Sequence, residues 1–496
     1  MAFNVRNTNP KALTKILDPE TLPHEVIKIQ SLRIPMKDGV ELQAHLWIPK
    51  KAWEGDLKCG TLVEYIPYRT DVTIRRDSIR HPFYAGNGLA SLRIDMRGAS
   101  NSGGVLVDEY LKQEQDDALD AFDWIVKQKW SNGNIAVFGK SWGGFNGLQV
   151  AARQHPALKT IITLMSTDDR YSDDVHYRGG NLMASDMLWW GSTMFVYAPR
   201  PQDKKIAGDG WKENWLKRLE TEPMVKNWVT HQTRDEYWKH GSICEDYSKV
   251  DIPVLSIGGW RDGYTNPVFR MADKLPNPES SFLVGPWVHE YPEMAEPAPK
   301  IGYQQLSLAW FKKYLYPEEK SDFSLPRLTA YVQDPSTIED SYFYREGKWV
   351  SLADPREKKS TSLFFNEGQT LTKEAAKSEL TNSFSGDLSH GLFRGTWCPF
   401  GFKGDFPADQ RYEDSKCLCF DSEEITEDIE LLGQPVVKFT VSSDKPLANV
   451  SVRLVDIYPD SGDHVLISWG SLNLTHRNSH EFPEPLKPAQ GGSLDM

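Results

Sequence analysis

From Glu25 to about Met165, short β-branched apolar runs alternate with one-sided helical ones: LQAHLWIP, TLVEYIPY and LASLRID, then QEQDDALDAFDWIVKQKW, NIAVFGK and TIITLMS. That alternation predicts βα units around a mostly parallel sheet. Between Glu114 and Trp130, the apolar positions Ala118, Phe122, Ile125, Val126 and Trp130 recur at steps of three and four, which predicts a helix with one buried face. Ser131-Asn132-Gly133 ends it, and the run from Asn134 to Lys140 is apolar enough for a buried strand.

Between Asp168 and Lys249 the pattern changes to tryptophan-rich, highly charged segments such as MASDMLWWGSTMF and GWKENWLKRLE, whose spacing suits short helices and predicts an inserted helical cap. The α/β signal returns with IPVLSIGGW and SSFLVGPW, and QQLSLAWFKKYL closes that domain near Glu319. From Leu325 onward, short alternating runs separated by turns predict a β-sandwich. The expected layout is therefore an α/β domain in two parts, residues 1–167 and 250–320, split by a cap at 168–249 and followed by a sandwich over 325–496. The chain stops at PAQGGSLDM just after a strand-like run, so a jelly-roll plan would lack closing strands and the sequence reads as truncated.

Composition narrows the function classes. With 57 Lys and Arg against 69 Asp and Glu, the 496-residue chain carries a formal charge of −12, and no basic stripe offsets it, which argues against a nucleic-acid partner. No run of 18 apolar residues and no apolar leader region is present, so the expectation is no membrane partner and a cytoplasmic address. Five scattered cysteines without CxxC or zinc spacing are expected to be reduced thiols, and no metal site is expected. Whether copies of the chain associate into a homo-oligomer is left open.

The strongest local chemical signal is Gly139-Lys140-Ser141-Trp142-Gly143, a G-x-S-x-G motif lying between a predicted buried strand and the helix-compatible FNGLQVAARQH. Such a strand-to-helix turn is tight enough to demand small residues two positions either side of the serine, and it presents the hydroxyl to substrate. A serine hydroxyl is a poor nucleophile until a positioned base takes its proton, so a histidine and an orienting carboxylate are required, in the order Ser, Asp, His. Asp262 follows PVLSIGGW, and His289 follows SFLVGPW, both at predicted strand ends on the same sheet edge as Ser141. His289 is the histidine beyond Asp262 that falls in a strand-end loop of the α/β part. For the oxyanion, the Trp142 backbone N–H is one donor by construction, and Tyr68 in EYIPYRTD could supply its phenolic O–H as the second.

The acidic run Asp168, Asp169, Asp173 and Asp174 lacks a metal-binding pattern and reads first as a capping and salt-bridge cluster. Its functional alternative is recognition of a free α-ammonium, with Asp168 and Asp169 as the candidates. Trp189 and Trp190, in a run with Met187, Leu188 and Phe195, read as cap core or as lining for an apolar acyl pocket. DMRGASNSGG has neither the Lys-Ser/Thr ending nor the glycine spacing of a nucleotide loop.

Together, Ser141 in GKSWGGF, Asp262 in GGWRDGY, His289 in GPWVHE and Tyr68 in IPYRTD resemble the catalytic serine, aspartate, histidine and oxyanion tyrosine of the CocE/NonD serine hydrolases. DMRGASNSGG, STDDRYSDDVHYRGG and LLGQPVVKFTVSSDKPLANVSVRLVDIYPDSG extend the likeness over nearly the whole chain. One departure is Ser100, which stands where that family usually has a second glycine. The resemblance implies an α/β-hydrolase domain with a helical cap and a carboxyl-terminal jelly roll. It further implies no cofactor, and cleavage of a small ester, amide or short peptide by acyl-ester hydrolase or dipeptidyl-peptidase chemistry. The rival reading is a non-catalytic binding protein whose sandwich holds the ligand on an inert α/β scaffold.

Overall fold

Strand β3 (Cys59–Ile66) is buried at all its positions, and β4 (Ala90–Asp95) likewise, as apolar runs require when both faces of a sheet are covered. They lie inside a ten-stranded sheet in a computed structural model that describes residues 22–72, 77–354, 360–487 and 492–495. The sheet opens with β1 (Val26–Pro35) and β2 (Glu41–Pro49), which pair antiparallel, and β2 also meets β4 antiparallel. From β4 the order runs through β3, β5 (Ser131–Lys140), β6 (Leu158–Leu164), Val254–Gly259, Ser281–Gly285 and Leu328–Gln333, all parallel. Strand Gly347–Leu352 closes the far edge antiparallel.

Side-chain alternation along the parallel strands splits the interior into two cores. Val63, Ile135, Val137 and Ile161 point to one, where helices Lys112–Ile125 and Trp142–Ala151 add Phe122, Ile125, Phe145 and Leu148. Leu62, Phe138, Ile162 and Ile257 point to the other, covered by Tyr84 from Asp77–Gly86 and by Trp310 and Phe311 from Tyr303–Leu315. Each such side chain, fully buried, contributes about 1.5–3 kcal/mol by removal from water. The helix expected over 114–130 thus forms as Lys112–Ile125.

Two differences from the sequence expectation concern the downstream half. The run RLTAYVQ, assigned to the sandwich, forms the strand Leu328–Gln333 and pairs in parallel register with Ser281–Gly285, so the large sheet extends past residue 320. Period-two alternation cannot distinguish a late strand of one sheet from the first strand of another, because the pairing partner lies elsewhere in the chain. Beyond residue 360, the strands among the described residues form small separate sheets, including the hairpin Asn449–Ile457 with His464–Asn473. Residues 1–21 lie outside the described residues, as do 488–491 and 496, part of the terminal stretch on which the truncated jelly-roll expectation rests.

Between β6 and Val254–Gly259 the chain forms the helices Ala184–Tyr197, Trp211–Leu219 and Val225–Thr230, with shorter turns between them. Among the described residues, no helix is long and apolar enough to cross a membrane. All five cysteines are free. Ser100 adopts a φ of 46°, the left-handed conformation that favours glycine, and its Oγ lies 3.2 Å from Asp71 Oδ1.

Candidate active site

The parallel strands deliver Ser141, Asp262 and His289 to one edge of the sheet, each just past a strand's carboxyl end. Ser141 sits between β5 and the helix Trp142–Ala151 with φ 57° and ψ −126°, a strained conformation for a residue with a Cβ that costs about 1–3 kcal/mol. The flanking glycines make the turn possible. A Cβ on Gly139 would lie 2.6 Å from the backbone carbon of Gly143, and one on Gly143 would lie 2.6 Å from Ile66 Cγ2.

Asp262 Oδ1 lies 3.0 Å from His289 Nδ1, and both side chains are buried. The loop carrying His289 is held from two sides. Lys140, the residue before the serine, donates from Nζ to the His289 carbonyl at 3.0 Å and to Glu290 Oε1 at 3.1 Å. From the downstream half, the Pro399 carbonyl accepts the His289 N–H at 3.0 Å, and the Phe400 ring stands edge-on to the imidazole at 5.4 Å. In the same segment Trp397 packs on Tyr264 and covers Gly263, where a Cβ would lie 2.6 Å from the indole. Asp405 Oδ2 pins this segment by accepting the Phe400 and Phe402 amides, each at 2.9 Å.

The Tyr68 phenol converges on the serine. It faces the Ser141 hydroxyl and the Trp142 backbone N–H, and burial pushes its pKa well above the usual range, so the phenol stays neutral. The Trp142 indole is fixed in turn, donating from Nε1 to Glu114 Oε1 at 2.9 Å, while Glu114 Oε2 accepts the Tyr110 amide at 3.0 Å.

Burial raises the Glu114 carboxyl from its ordinary 4.5 to about 8. The folded chain therefore holds a proton between pH 4.5 and 8 that the unfolded chain has released, and stability falls as pH rises through that window. Relative to Glu114→Gln, whose side chain does not ionise, the wild-type Tm is expected to fall by a few degrees from pH 5 to pH 8, measured by paired thermal melts. Parallel pH profiles for the two proteins would exclude this group.

The aromatic run packs beside Tyr68 and Trp142. Trp190 stands at 6.0 Å from Tyr68 and 6.2 Å from Trp142, and exposed Trp189 packs at 5.7 Å from Phe400. Trp190 Nε1 also donates to the buried Glu109 at 3.2 Å. The acidic run is engaged inside the fold. Asp168 pairs with Arg270 and accepts the Tyr247 hydroxyl, and Asp169 caps the Tyr171 amide at 3.0 Å and faces Arg234 at 3.4 Å. Asp173 also pairs with Arg270, and Asp174 accepts the Tyr264 hydroxyl at 2.8 Å beside His176. Lys140, Glu114, Trp397, Cys398 and Phe400 were not singled out from the sequence. Lys140 carried a signal as the second residue of the motif, whereas the others become neighbours of the site only through long-range folding.

A mixed sheet with a parallel centre, helices on both faces and a serine on a strained strand-to-helix turn defines the α/β-hydrolase class. Within it, residues 38–291 match the family described as X-Pro dipeptidyl-peptidase (S15 family), and residues 323–495 match the X-Pro dipeptidyl-peptidase C-terminal non-catalytic domain. The chain belongs to this S15 family and to the wider CocE/NonD group of serine hydrolases. It is 24% identical over 494 residues to cocaine esterase of Rhodococcus sp. (strain MB1 Bresler), spanning 90% of this chain and 83% of that protein. It is 22% identical over 342 residues to Xaa-Pro dipeptidyl-peptidase of Lactobacillus delbrueckii subsp. lactis, spanning 67% of this chain and 41% of that protein. A solved α-amino acid ester hydrolase superposes with a TM-score of 0.74 at 20% identity, over 96% of this chain and 86% of that one. The chain is accordingly a hydrolase of the serine esterase or dipeptidyl-peptidase kind.

Proposed function

We propose that the protein hydrolyses a small carboxylic ester through an acyl-enzyme, with Ser141 as nucleophile. The observation that carries this reading is the strained Ser141 turn meeting the Tyr68 phenol and the Trp142 amide at one point. In the proposed cycle the Ser141 hydroxyl turns from Tyr68 to the imidazole, and His289 Nε2 takes its proton as the oxygen attacks the carbonyl. Asp262 Oδ1 accepts the Nδ1–H, which fixes the tautomer and stabilises the imidazolium. Charge developing on the carbonyl oxygen is met in this reading by the Tyr68 O–H and the Trp142 N–H. His289 then protonates the leaving group, and water repeats the sequence to release the acid.

In this reading the helical segment 168–249 acts as a cap over the serine, Trp189 and Trp190 line the acyl pocket, and the downstream domain, a jelly roll in the family plan, supplies the wall at 396–402. The engagement of Asp168, Asp169, Asp173 and Asp174 by Arg270, Arg234, Tyr247, Tyr264 and His176 supports an uncharged acyl group over one bearing a free α-ammonium. A substrate series checks this: p-nitrophenyl acyl esters are expected to give a higher kcat/KM than the matching aminoacyl esters and Xaa-Pro amides. Preference for the α-amine would return the acidic run to a recognition role. A scaffold that only binds would show no stoichiometric serine adduct with an organophosphonate.

Tyr68→Phe tests the oxyanion assignment. It removes one hydrogen bond that strengthens as charge develops, while the ring and its packing stay in place. Turnover is expected to drop by about 10²- to 10³-fold with KM nearly unchanged on a substrate whose acylation limits the rate. A tyrosine that merely packs against substrate would leave both constants close to wild type.

A further inference from the structure

The downstream segment places a thiol beside the histidine–aspartate pair. Cys398 Sγ lies 3.8 Å from Asp262 Oδ1, which itself lies 3.0 Å from His289 Nδ1. One ligand atom from each of the three residues falls within 4.8 Å of the others. A tetrahedral zinc ion with bonds of about 2.0 Å to nitrogen and oxygen and about 2.3 Å to sulfur separates its ligands by about 3.3 Å for nitrogen and oxygen and about 3.5 Å for sulfur and oxygen. The observed separations match those edges to within a few tenths of an ångström. A second observation is that Asp262 Oδ2 is buried with no hydrogen-bond partner among the described residues, so the carboxylate has unused acceptor capacity. The trio is also held in place, with His289 bonded to Pro399 and Trp397 packed over Gly263 on either side of the thiol.

We propose that Asp262, His289 and Cys398 form an inhibitory site for a thiophilic divalent cation of the zinc class. It rests on the catalytic reading of His289 for its inhibitory effect but not for its binding. On binding, the Cys398 thiol becomes a metal thiolate and releases one proton to solvent. The imidazole gives up its Nδ1 proton so that Nδ1 can ligate, and takes a proton at Nε2, so that one proton is released overall. With Nε2 protonated and Nδ1 committed to the metal, His289 has no lone pair for the Ser141 proton, and acylation stops. Thiolate and carboxylate together balance the charge of the cation. Three protein ligands leave a fourth position open, and a set of one sulfur, one nitrogen and one oxygen suits Zn²⁺ or Cd²⁺ and does not suit Mg²⁺ or Ca²⁺, which take oxygen ligands. Cys398 is half-buried and so approachable. Burial, with the nearby Asp262 charge, holds its thiol protonated until a metal arrives.

The test uses the full-length enzyme and its Cys398→Ser variant, with buffered Zn²⁺ as the probe. Equilibrium dialysis is expected to give one Zn²⁺ per wild-type chain, with activity falling at least tenfold on saturation and returning with EDTA. The variant should keep its Tm and, with inhibition scored against its own metal-free activity, need at least ten times more Zn²⁺ for both binding and inhibition. Co²⁺ should give a thiolate-to-metal absorption band in the wild type that the variant lacks. Equal affinity and inhibition in the two proteins, or absence of the cobalt band from the wild type, would overturn the proposal. Zinc binding that depends on Cys398 but leaves turnover unchanged would keep the metal site and overturn both its inhibitory role and the role given to His289.

Discussion

Ser141→Ala is expected to lower turnover by about a million-fold while leaving the fold unchanged. Alanine carries the same Cβ into the same left-handed turn, so the strain at φ 57° is neither relieved nor increased. The Tyr68 phenol keeps its place facing the Trp142 amide, and the glycines at 139 and 143 still clear one another. What disappears is the nucleophile. Residual hydrolysis over the uncatalysed rate, about 10³- to 10⁴-fold, would come from the oxyanion donors and substrate binding alone. His289→Ala should be comparably severe, because members of such a unit fail together. Steady-state turnover and organophosphonate titration of the purified variants decide the matter. More than a few per cent of wild-type activity in the alanine variant would remove Ser141 from the mechanism.

The second large effect is expected at Asp262→Asn, with turnover down by about 10⁴-fold and the structure intact. The present carboxylate accepts the His289 Nδ1–H through Oδ1, and its other oxygen is buried without a partner among the described residues. An asparagine has one oxygen and one NH2 to place in those two positions. Burying the NH2 where no acceptor exists costs about 1–3 kcal/mol, so the amide turns its NH2 toward the imidazole. Nδ1 must then accept, Nε2 carries the proton, and the base faces the serine in the wrong tautomer. A loss smaller than tenfold would assign the orienting role to another carboxylate. Glu290, already bound to Lys140, would be the first to examine.

The strand, turn and helix around Ser141 were legible because local rules govern them: a buried run, a motif whose glycines are demanded by backbone clashes, and a one-sided helix beyond. The closeness of Asp262 and His289 was legible too, since parallel strands deliver successive loops to one edge, whatever the details of packing. Other parts depended on pairings that no local pattern carries. Cys398 meets Asp262 across 136 residues, and Arg270 reaches Asp168 across 102. The acidic run looks alike in sequence whether its charges face a ligand or an arginine that arrives much later. The strands at 328–333 and 347–352 alternate as sandwich strands do, and only their hydrogen-bonded neighbours assign them to the large sheet.

The bond from the His289 amide to the Pro399 carbonyl, with the Phe400 ring on the imidazole, has a consequence for how such enzymes change over evolutionary time. A downstream domain that merely adhered to the hydrolase could be lost, shuffled or traded between lineages without touching turnover. Here a short stretch of it touches His289, the general base of the proposed mechanism, so substitutions at Pro399 and Phe400 would be seen by selection on the rate as well as on folding. On the proposed mechanism the two halves would diverge as one heritable unit, and a recombined gene that joins halves from distant relatives would inherit a mismatched contact against its histidine.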